Sequence, residues 1–497
     1  MTEGEEMPHG GWVDDDPWAG MVDETGVPFE IEDAAAVAAA DVAAGAETPR
    51  LFNLPAEFWG ARELFKRVWQ QARADGTAPD AVLGAALARA SAMVPHELKF
   101  DSGKIGTFNL FVNIVSPSGI GKTEAMRSAQ RVIAAPTYLC DAGGTVDFDR
   151  FRDGVSLGSG EGLAEVYMGT KEIDTGEFVK SGPNRGDPKT RPIRAQVRNN
   201  AFLFLDEGES LTKMLERKGA TVGQTLRTAW TGATLGAANA QEATTRFIPD
   251  GEYSMGILIG WQPKAAMTLI NDAAGGTPQR FLWLSALDPD MPDDPDERPE
   301  QVRLPLCDGH GSPIRGMVHF PVEIKRALRL ALVQKHRTGD GGGELHSHEP
   351  LMRCKLAALL CVLDGRRMVD QDDWRLAGMI WQVSCAVRDR LVAFGETERR
   401  VRVEQELERH AEMAQAAELA RVQVTADVER VARRIWKIVF AEDERFAQIK
   451  RTTVRKDKMG RDKPLFDAAL RFARSMGWLA DDEPEGLLVL GRSRPAE

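Results

Sequence analysis

The sequence predicts an α/β fold built around a parallel, doubly wound sheet. Three apolar segments, at residues 110–115, 201–205 and 255–259, have the composition of strands that are buried on both faces. Polar side chains follow each of them within a few residues, and helical patterns separate them. In such a sheet, a ligand binds at the edge formed by the carboxyl ends of the strands.

The net charge of −12 is concentrated in one part of the chain. Residues 1–50 hold thirteen acids, one base (Arg50) and few large apolar groups, which predicts a disordered acidic tail. The other residues hold 62 acids and 62 bases, so they can form local basic patches. Because no apolar run is long enough to span a membrane and the five cysteines lack zinc-site spacing, we expect a cytoplasmic protein without a membrane partner.

Changes of pattern along the 497 residues predict six parts. Amphipathic repeats precede the first strand, and a leucine-rich helical region follows the α/β segment. A charged stretch without Gly or Pro then suits an exposed helical connector. The predicted parts are an acidic tail (1–50), a helical segment (51–100), the α/β core (101–320), a helical lid (321–395), the connector (396–427) and a small C-terminal domain (428–497).

The segment SPSGIGKT, at residues 116–123, has the features of a phosphate-binding loop (Walker A) rather than of an ordinary glycine turn. It joins a buried-strand pattern to a helical one, so backbone N–H groups and a helix N-terminus can face phosphate. Lys122 is expected to hold the β- and γ-phosphates of ATP, and Thr123 to bind Mg²⁺. Ser116 replaces the usual first glycine. The predicted nucleotide-binding residues are Ser116, Ser118, Gly119, Gly121, Lys122 and Thr123.

Two adjacent carboxylates, Asp206 and Glu207, end the predicted strand at 201–205 and suit a Walker B motif. Asp206 is expected to orient the Mg²⁺ shell, and Glu207 to polarise the attacking water as a general base. The alternative is that two acids only solubilise a strand end. Because a second carboxylate can accept a proton from the attacking water, the pair predicts ATP hydrolysis rather than nucleotide binding alone.

Two further polar residues are candidates for catalysis. Gln262 follows the predicted strand at 255–259, where a side chain can contact the γ-phosphate or the water. Arg280, beyond the Gly275–Gly276 turn, can serve as an arginine finger for the nucleotide of a neighbouring subunit. The alternative for Arg280 is a solvated loop arginine.

The strand ending in Asp206–Glu207, the segment GWQP at 260–263 and QRF at 279–281 resemble P-loop proteins of actinobacteria and of their phages and plasmids. These relatives are primase-helicase or replicative-helicase ATPases, and the resemblance covers about residues 51–390. It implies a RecA-like or AAA-like ATPase core, assembly into a ring, and action on DNA. No primase domain is visible ahead of the core, so a primase would be a separate partner.

DNA contacts are expected in two places. Small and polar residues from Trp230 to Ala240, followed by Arg246, suit a single-strand contact loop, and an ordinary β-hairpin is the alternative. Residues 445–475 hold ten bases and three acids within a helix, helix, basic helix and strand-pair pattern that predicts a winged helix. A protein-docking winged helix is the alternative there. The candidate DNA contacts in this region are Lys450, Arg451, Arg455, Lys456, Arg471 and Arg474.

Together these patterns predict an ATP- and Mg²⁺-dependent DNA helicase or helicase loader of a phage- or plasmid-type replication system. The expected assembly is a homo-oligomeric ring, a hexamer, on single-stranded DNA. Two alternatives stay open. One is a regulator or defence ATPase whose nucleotide state controls a protein partner, and the other is a DNA packaging or transfer motor.

Overall fold

The computed structural model describes residues 34–44, 49, 51–178, 187–217, 221–237, 245–272, 275–338, 347–445, 448–480 and 486–496. The chain forms two compact units, and the boundary lies between Glu398 and Arg399. We call them unit 1 and unit 2.

The strands of the described residues all lie in unit 1. They are β1 (Leu98–Asp101), β2 (Ile105–Gly106), β3 (Leu110–Val115), β4 (Ile133–Ala134), β5 (Phe151–Val155), β6 (Met168–Phe178), β7 (Pro188–Gln196), β8 (Asn200–Leu205), β9 (Leu235–Ala237), β10 (Arg246–Ile248), β11 (Ser254–Trp261), β12 (Phe281–Ser285), β13 (Val302–Arg303) and β14 (Gly316–His319).

The α-helices occur in both units. They are α1 (Ala34–Ala43), α2 (Ala56–Gly60), α3 (Glu63–Ala74), α4 (Pro79–Met93), α5 (Lys122–Val132), α6 (Gly162–Glu165), α7 (Glu209–Leu215), α8 (Val222–Thr231), α9 (Pro263–Ile270), α10 (Val322–Thr338), α11 (Glu349–Leu363), α12 (Gln371–Asp443), α13 (Arg451–Thr453) and α14 (Phe466–Ser475).

A five-stranded parallel sheet forms the centre of unit 1, in the order β12-β3-β11-β8-β5. This confirms the predicted α/β core with a parallel sheet, and the three predicted strands are β3, β8 and β11. Strands β5 and β12 were not predicted. The β5 sequence FRDGV contains two charged residues and a glycine and shows no clear strand pattern, whereas the apolar sequence FLWLS of β12 does fit a short buried strand and was missed.

Helix α4 is buried along its whole length and packs against the sheet. Its alanine-rich sequence allows this, because small side chains let the helix backbone approach the strands closely. The guanidinium of Arg89 on α4 donates to the Asp153 carboxylate on β5 at 2.8 Å and to the Ile133 carbonyl at 2.7 Å. The one long charged side chain of α4 is therefore paired within the core.

The helices between residues 321 and 395, predicted as a separate lid, belong to the same compact unit as the sheet. Helix α11 and the first turns of α12 contribute to one continuous hydrophobic core with the strands. The leucine pattern of these helices predicts that they are buried, but it does not show that they pack against the sheet. The predicted connector (396–427) is the middle of α12, a single helix that extends into the segment predicted as the last domain.

The predicted disordered tail falls mostly on residues outside the described part of the chain. Within it, residues 34–43 form helix α1, where the alanine run favours a helix. Alanine has the highest helix propensity of all residues, so a composition poor in large apolar groups did not exclude a helix here.

Unit 2 has its own hydrophobic core. The end of α12 contributes Ile435, α14 contributes Phe466 and Leu470, and Trp478 and Leu488 complete the core from the last segment. Ala469 and Ala473, on the same face of α14, are buried as well. Beyond α14 the chain forms short antiparallel contacts rather than long strands, at Leu479–Leu490 and Lys450–Leu487.

Candidate active site

The loop between β3 and α5 is held by a hydrogen bond to the neighbouring strand and contains two left-handed glycines. The carbonyl of Trp261, on the neighbouring strand β11, accepts a hydrogen bond of 3.1 Å from the Ser116 amide and fixes the start of the loop. Gly119 has a φ of +80°, and Gly121, the residue before α5, has a φ of +54°. Both are left-handed conformations that glycine adopts without strain.

Ser116, at the position of the usual first glycine, has a structural role in the loop. The residue is buried, and its hydroxyl donates to the Ile120 carbonyl at 2.9 Å. The hydroxyl thereby links the start of the loop to its far side. A serine at this position is compatible with the curled loop because its side chain closes the loop from within.

The Lys122 side chain lies over the loop that precedes it. Its ammonium donates to the Pro117 carbonyl at 3.0 Å and lies 3.3 Å from the Ser116 hydroxyl oxygen. Burial lowers the pKa of Lys122, and the Asp206 and Glu207 carboxylates oppose this shift. The ammonium is therefore the group here that can attract an anion such as phosphate, because the two nearby carboxylates would repel one.

Thr123 and Asp206 are in direct contact. The Thr123 hydroxyl donates to Asp206 Oδ1 at 2.7 Å, although the two residues are 83 positions apart. A hydroxyl and a carboxylate, completed by phosphate oxygens and waters, are the ligands that Mg²⁺ uses in nucleotide sites. These two side chains fit a magnesium ion bound together with a nucleotide. Among the described residues, no group of three or more His, Cys, Asp or Glu side chains could hold a metal by itself.

A cavity of about 350 Å³ opens at the carboxyl end of the central strands. It brings together residues that three separate sequence segments contribute. The lining residues are Ser118, Gly119, Ile120, Gly121, Lys122, Thr123, Glu124, Asp206, Glu207 and Gln262. All predicted nucleotide and Mg²⁺ ligands line this cavity except Ser116, which is buried. Of the three predicted catalytic residues, Glu207 and Gln262 also line it.

Strand order explains why Gln262 is in the cavity. Strand β11 lies between the P-loop strand β3 and the carboxylate strand β8. Gln262 follows β11 directly, is exposed, and begins helix α9. A side chain at this place faces the space between the loop and the two carboxylates.

Gly260 was not predicted as a site residue, although it lies in the quoted GWQP segment. A Cβ atom at this position would lie 2.8 Å from Lys122 Cδ and 2.6 Å from the Asp206 carbonyl oxygen. Its carbonyl accepts a hydrogen bond of 2.7 Å from the Gly208 amide. The absence of a side chain therefore lets the lysine and the carboxylate strand approach β11 closely, a requirement that only the folded structure reveals.

Asp75, just after α3, anchors the helix that follows the P-loop. Its buried carboxylate accepts hydrogen bonds of 2.7 Å from Ser128 and Arg131 of α5 and from Gln71 of α3. These donors lower the pKa of Asp75, although burial alone would raise it. Arg298 adds an ion pair at 3.0 Å. The N-terminal helices are thus tied to the nucleotide site by polar contacts that the sequence pattern does not show.

Arg280 does not belong to the cavity. It precedes β12, at the amino end of the parallel sheet, whereas the cavity lies at the carboxyl end. Its guanidinium donates to the Gly276 carbonyl and lies 5.7 Å from the ring centre of the buried Trp230. Burial, with Arg227 as the second cause, lowers the pKa of Arg280 to about 10. Arg280 was considered as an exposed loop arginine, but it is half-buried against residues of unit 1.

Arg246, the candidate DNA contact of the core, is already paired within unit 1. It forms ion pairs with Glu165 at 2.8 Å and with Glu161 at 3.3 Å. It lies on β10, which pairs with β9 as a hairpin, so the hairpin alternative describes the local structure. Residues 238–244 of the predicted contact loop lie outside the described residues.

The candidate DNA contacts of unit 2 differ in their ionic partners. Arg451 and Arg455 form ion pairs with Asp467 at 2.7 and 3.3 Å. Lys450, Lys456 and Arg471 are exposed, without a carboxylate within ion-pair distance among the described residues. Arg474 is half-exposed on α14 and has a partner of its own. The charge count of residues 445–475 therefore overstates the number of basic side chains that are available to contact DNA.

Comparison with other proteins identifies no relative. No protein-family model matches the chain, and no curated protein matches it significantly. Within the described residues, none of the helices has the length and apolar character needed to cross a membrane.

Proposed function

We propose that this chain is an ATPase that acts on nucleic acid, as a DNA helicase or helicase loader. The observation that carries the proposal is the cavity in which Lys122, Thr123, Asp206, Glu207 and Gln262 meet. A phosphate-binding loop, an ammonium, a hydroxyl–carboxylate pair and a second carboxylate are the parts that ATP hydrolysis needs.

Each of these side chains has a distinct task in the proposed reaction. The loop amides and Lys122 bind the phosphates, and the Thr123–Asp206 pair holds Mg²⁺, which would supply charge neutralisation when bound. Glu207 accepts a proton from the attacking water, and Gln262 orients that water or the γ-phosphate. The exposure of Glu207 at the cavity wall supports this assignment, because a general base must reach the water.

Unit 2 supports an action on DNA. The order of its elements, with helices preceding a short antiparallel pair that closes on Ile449–Lys450, is compatible with the winged helix expected from the sequence. Exposed bases without an ion pair among the described residues, such as Lys450 and Lys456, can contact phosphates. Docking of a protein partner is the second candidate, because the ion pairs of Arg451 and Arg455 with Asp467 reduce the available positive charge.

The decisive experiment measures ATP hydrolysis of the full chain with and without single-stranded DNA. A helicase or loader is expected to hydrolyse ATP faster when DNA is present. Hydrolysis that is unaffected by DNA across a range of salt concentrations would favour the regulator whose nucleotide state controls a protein. No ATP binding at all would refute the whole proposal.

Ring assembly, expected as a hexamer, belongs to the same proposal. If Arg280 reaches the nucleotide of a neighbouring subunit, it must leave its contact with Trp230, so the isolated chain does not represent the assembled state. Mixing Arg280→Ala with Lys122→Ala protein is then expected to restore part of the turnover that each variant lacks. Mixtures that stay as inactive as the separate variants would exclude shared active sites.

A further inference from the structure

Helix α10 (Val322–Thr338) packs on unit 1 through one face only. Ile324 is buried, and Ala327, Leu328 and Ala331 are partly buried against the hydrophobic core. Lys325 adds an ion pair with Asp101 at 2.6 Å. These contacts fix the rotation of α10 about its own axis, so its opposite face is turned outward.

The outward face combines positive charge with apolar side chains. At about 100° per residue, the side of the helix opposite to Ile324 and Ala331 carries His336 and six residues that we call the α10 surface. These six are Val322, Arg326, Arg329, Leu330, Val333 and Arg337. Val322 is 74% exposed and Leu330 58% exposed, so both side chains are accessible for apolar contacts.

The arginines of the α10 surface lack acidic partners. Neither Arg326, Arg329 nor Arg337 forms an ion pair within the described part of the chain. Glu323 is the only acid of α10, against five Lys and Arg residues. Among the described residues, the helix therefore presents three guanidinium groups without ion pairs beside exposed aliphatic groups, which is a complementary surface for an acidic and apolar segment.

The chain itself contains a segment of this composition. Residues 1–33 hold eleven acids and neither Lys nor Arg. They also contain large apolar side chains, among them Trp12, Trp18 and Phe29. A nucleic acid would match the charge of the α10 surface, but its phosphates would leave Val322 and Leu330 without apolar contacts. An acidic segment with aromatic residues matches both properties.

The segment can reach the surface from its attachment at Ala34. An extended chain spans at most about 3.3–3.6 Å per residue, so 33 residues can cover roughly 110 Å. A domain of about 400 residues has a radius of gyration of roughly 21 Å. Chain length therefore does not prevent contact with any surface of unit 1.

We propose that residues 1–33 bind the α10 surface of the same chain. The aromatic side chains cover Val322 and Leu330, and the carboxylates pair with Arg326, Arg329 and Arg337. Because the charge pairs are near the protein surface, the contact weakens as salt concentration rises. The inference depends on α10 and the acidic segment, and it holds whether or not the chain hydrolyses ATP.

Photo-cross-linking of the full chain tests this contact. The photoreactive amino acid p-benzoylphenylalanine replaces Leu330, and mass spectrometry identifies the cross-linked peptides. We expect cross-links to residues 1–33 at the mass of a single chain. The matched control carries the same probe at Leu419 of α12, which is 65% exposed, and should give no cross-link to residues 1–33.

Charge exchange tests whether the contact is specific. Asp14→Lys, Asp15→Lys and Asp16→Lys together should lower the cross-linking yield by about threefold or more, since each removes an exposed charge pair. Adding Arg326→Glu, Arg329→Glu and Arg337→Glu to this variant should restore the yield, which a misfolded protein could not do. Three charge reversals on α12, Arg399→Glu, Arg400→Glu and Arg402→Glu, are the control and should leave the yield unchanged.

Other outcomes would overturn the proposal. Cross-links at twice the chain mass would show that α10 binds a second copy. Cross-links to an added oligonucleotide, with none to residues 1–33, would assign the α10 surface to nucleic acid. A yield to residues 1–33 that is unaffected by charge exchange would mean that the contact is incidental.

Discussion

The candidate phosphate-binding cavity of unit 1 and the basic surface of unit 2 both contain many candidate functional side chains, but these are organised differently. In the cavity, groups from distant segments converge because parallel strands end at one edge of the sheet. In unit 2, bases lie close together in the sequence, and some are neutralised by nearby acids such as Asp467. Sequence spacing is therefore informative for the cavity, whereas the usable charge of unit 2 depends on pairings that only the fold defines.

The strongest test of this contrast is Lys122→Ala. The substitution removes the ammonium that lies in the loop, so phosphate charge is left uncompensated and ATP turnover should fall to background. Nucleotide titration and a hydrolysis assay measure both effects. Lys104→Ala, at an exposed position in the β1–β2 turn, is the control and should behave as the unmodified protein. Wild-type turnover in Lys122→Ala would rule out this site as the ATPase centre.

Glu207→Gln separates binding from chemistry. The amide has nearly the shape of the carboxylate but cannot accept the proton of water, so turnover should fall by about 10²–10⁴-fold while ATP still binds. Single-turnover hydrolysis and equilibrium titration distinguish the two quantities. Glu209→Gln, an exposed neighbour on α7 outside the cavity, should leave turnover unchanged. If ATP affinity and turnover were lost in parallel, Glu207 would not be the base.

Gly260→Ala tests whether the cavity requires a residue without a side chain on β11, which no sequence motif indicates. The added methyl group would press on Lys122 Cδ and the Asp206 carbonyl, and a displacement of about 1 Å in a catalytic group can cost up to roughly 100-fold in rate. We expect turnover to fall by about 10- to 100-fold. Gly60→Ala is the control, because a Cβ at Gly60 meets no atom within 4 Å. Equal activity of the two variants would show that the close approach at β11 is not needed.

The smallest expected effect concerns unit 2. Lys450→Glu with Lys456→Glu should weaken DNA binding and lower the salt dependence of the affinity by about one counterion per lost phosphate contact. Arg451→Glu with Arg455→Glu, which changes bases already paired with Asp467, should have a smaller effect. Binding isotherms across salt concentrations compare the pairs. Identical salt slopes for both pairs and the unmodified protein would favour a protein-docking role for unit 2.

Much of the central fold could be predicted from the sequence because its strands are long, apolar and buried on both faces. Strand β3 begins and ends at the predicted residues, and β8 and β11 differ only at their ends. The edge strand β5 could not be recognised, because an edge tolerates the Arg, Asp and Gly of its sequence FRDGV. Leucine periodicity also predicted the helices after residue 321, but not that they share the core of the sheet.

The cavity was predictable to the extent that its members are motif residues at strand ends. Lys122, Asp206 and Gln262 each follow a strand of the same sheet, so their meeting follows from the parallel arrangement. The contributions of Gly260 and Asp75 were not predictable, because they depend on distances between segments that are far apart in sequence. For the same reason the sequence did not reveal that Arg280 packs on Trp230.

The contacts of Asp75 have a mechanical consequence. One carboxylate joins α3, α5 and the segment containing Arg298, so a shift of α5 would strain the contacts of Asp75 with Gln71 and Arg298. Any displacement of α5 should therefore also pull on the N-terminal helix α3 through Asp75. If the proposed ATPase moves α5 when it binds or releases nucleotide, the region before the sheet would respond to that movement.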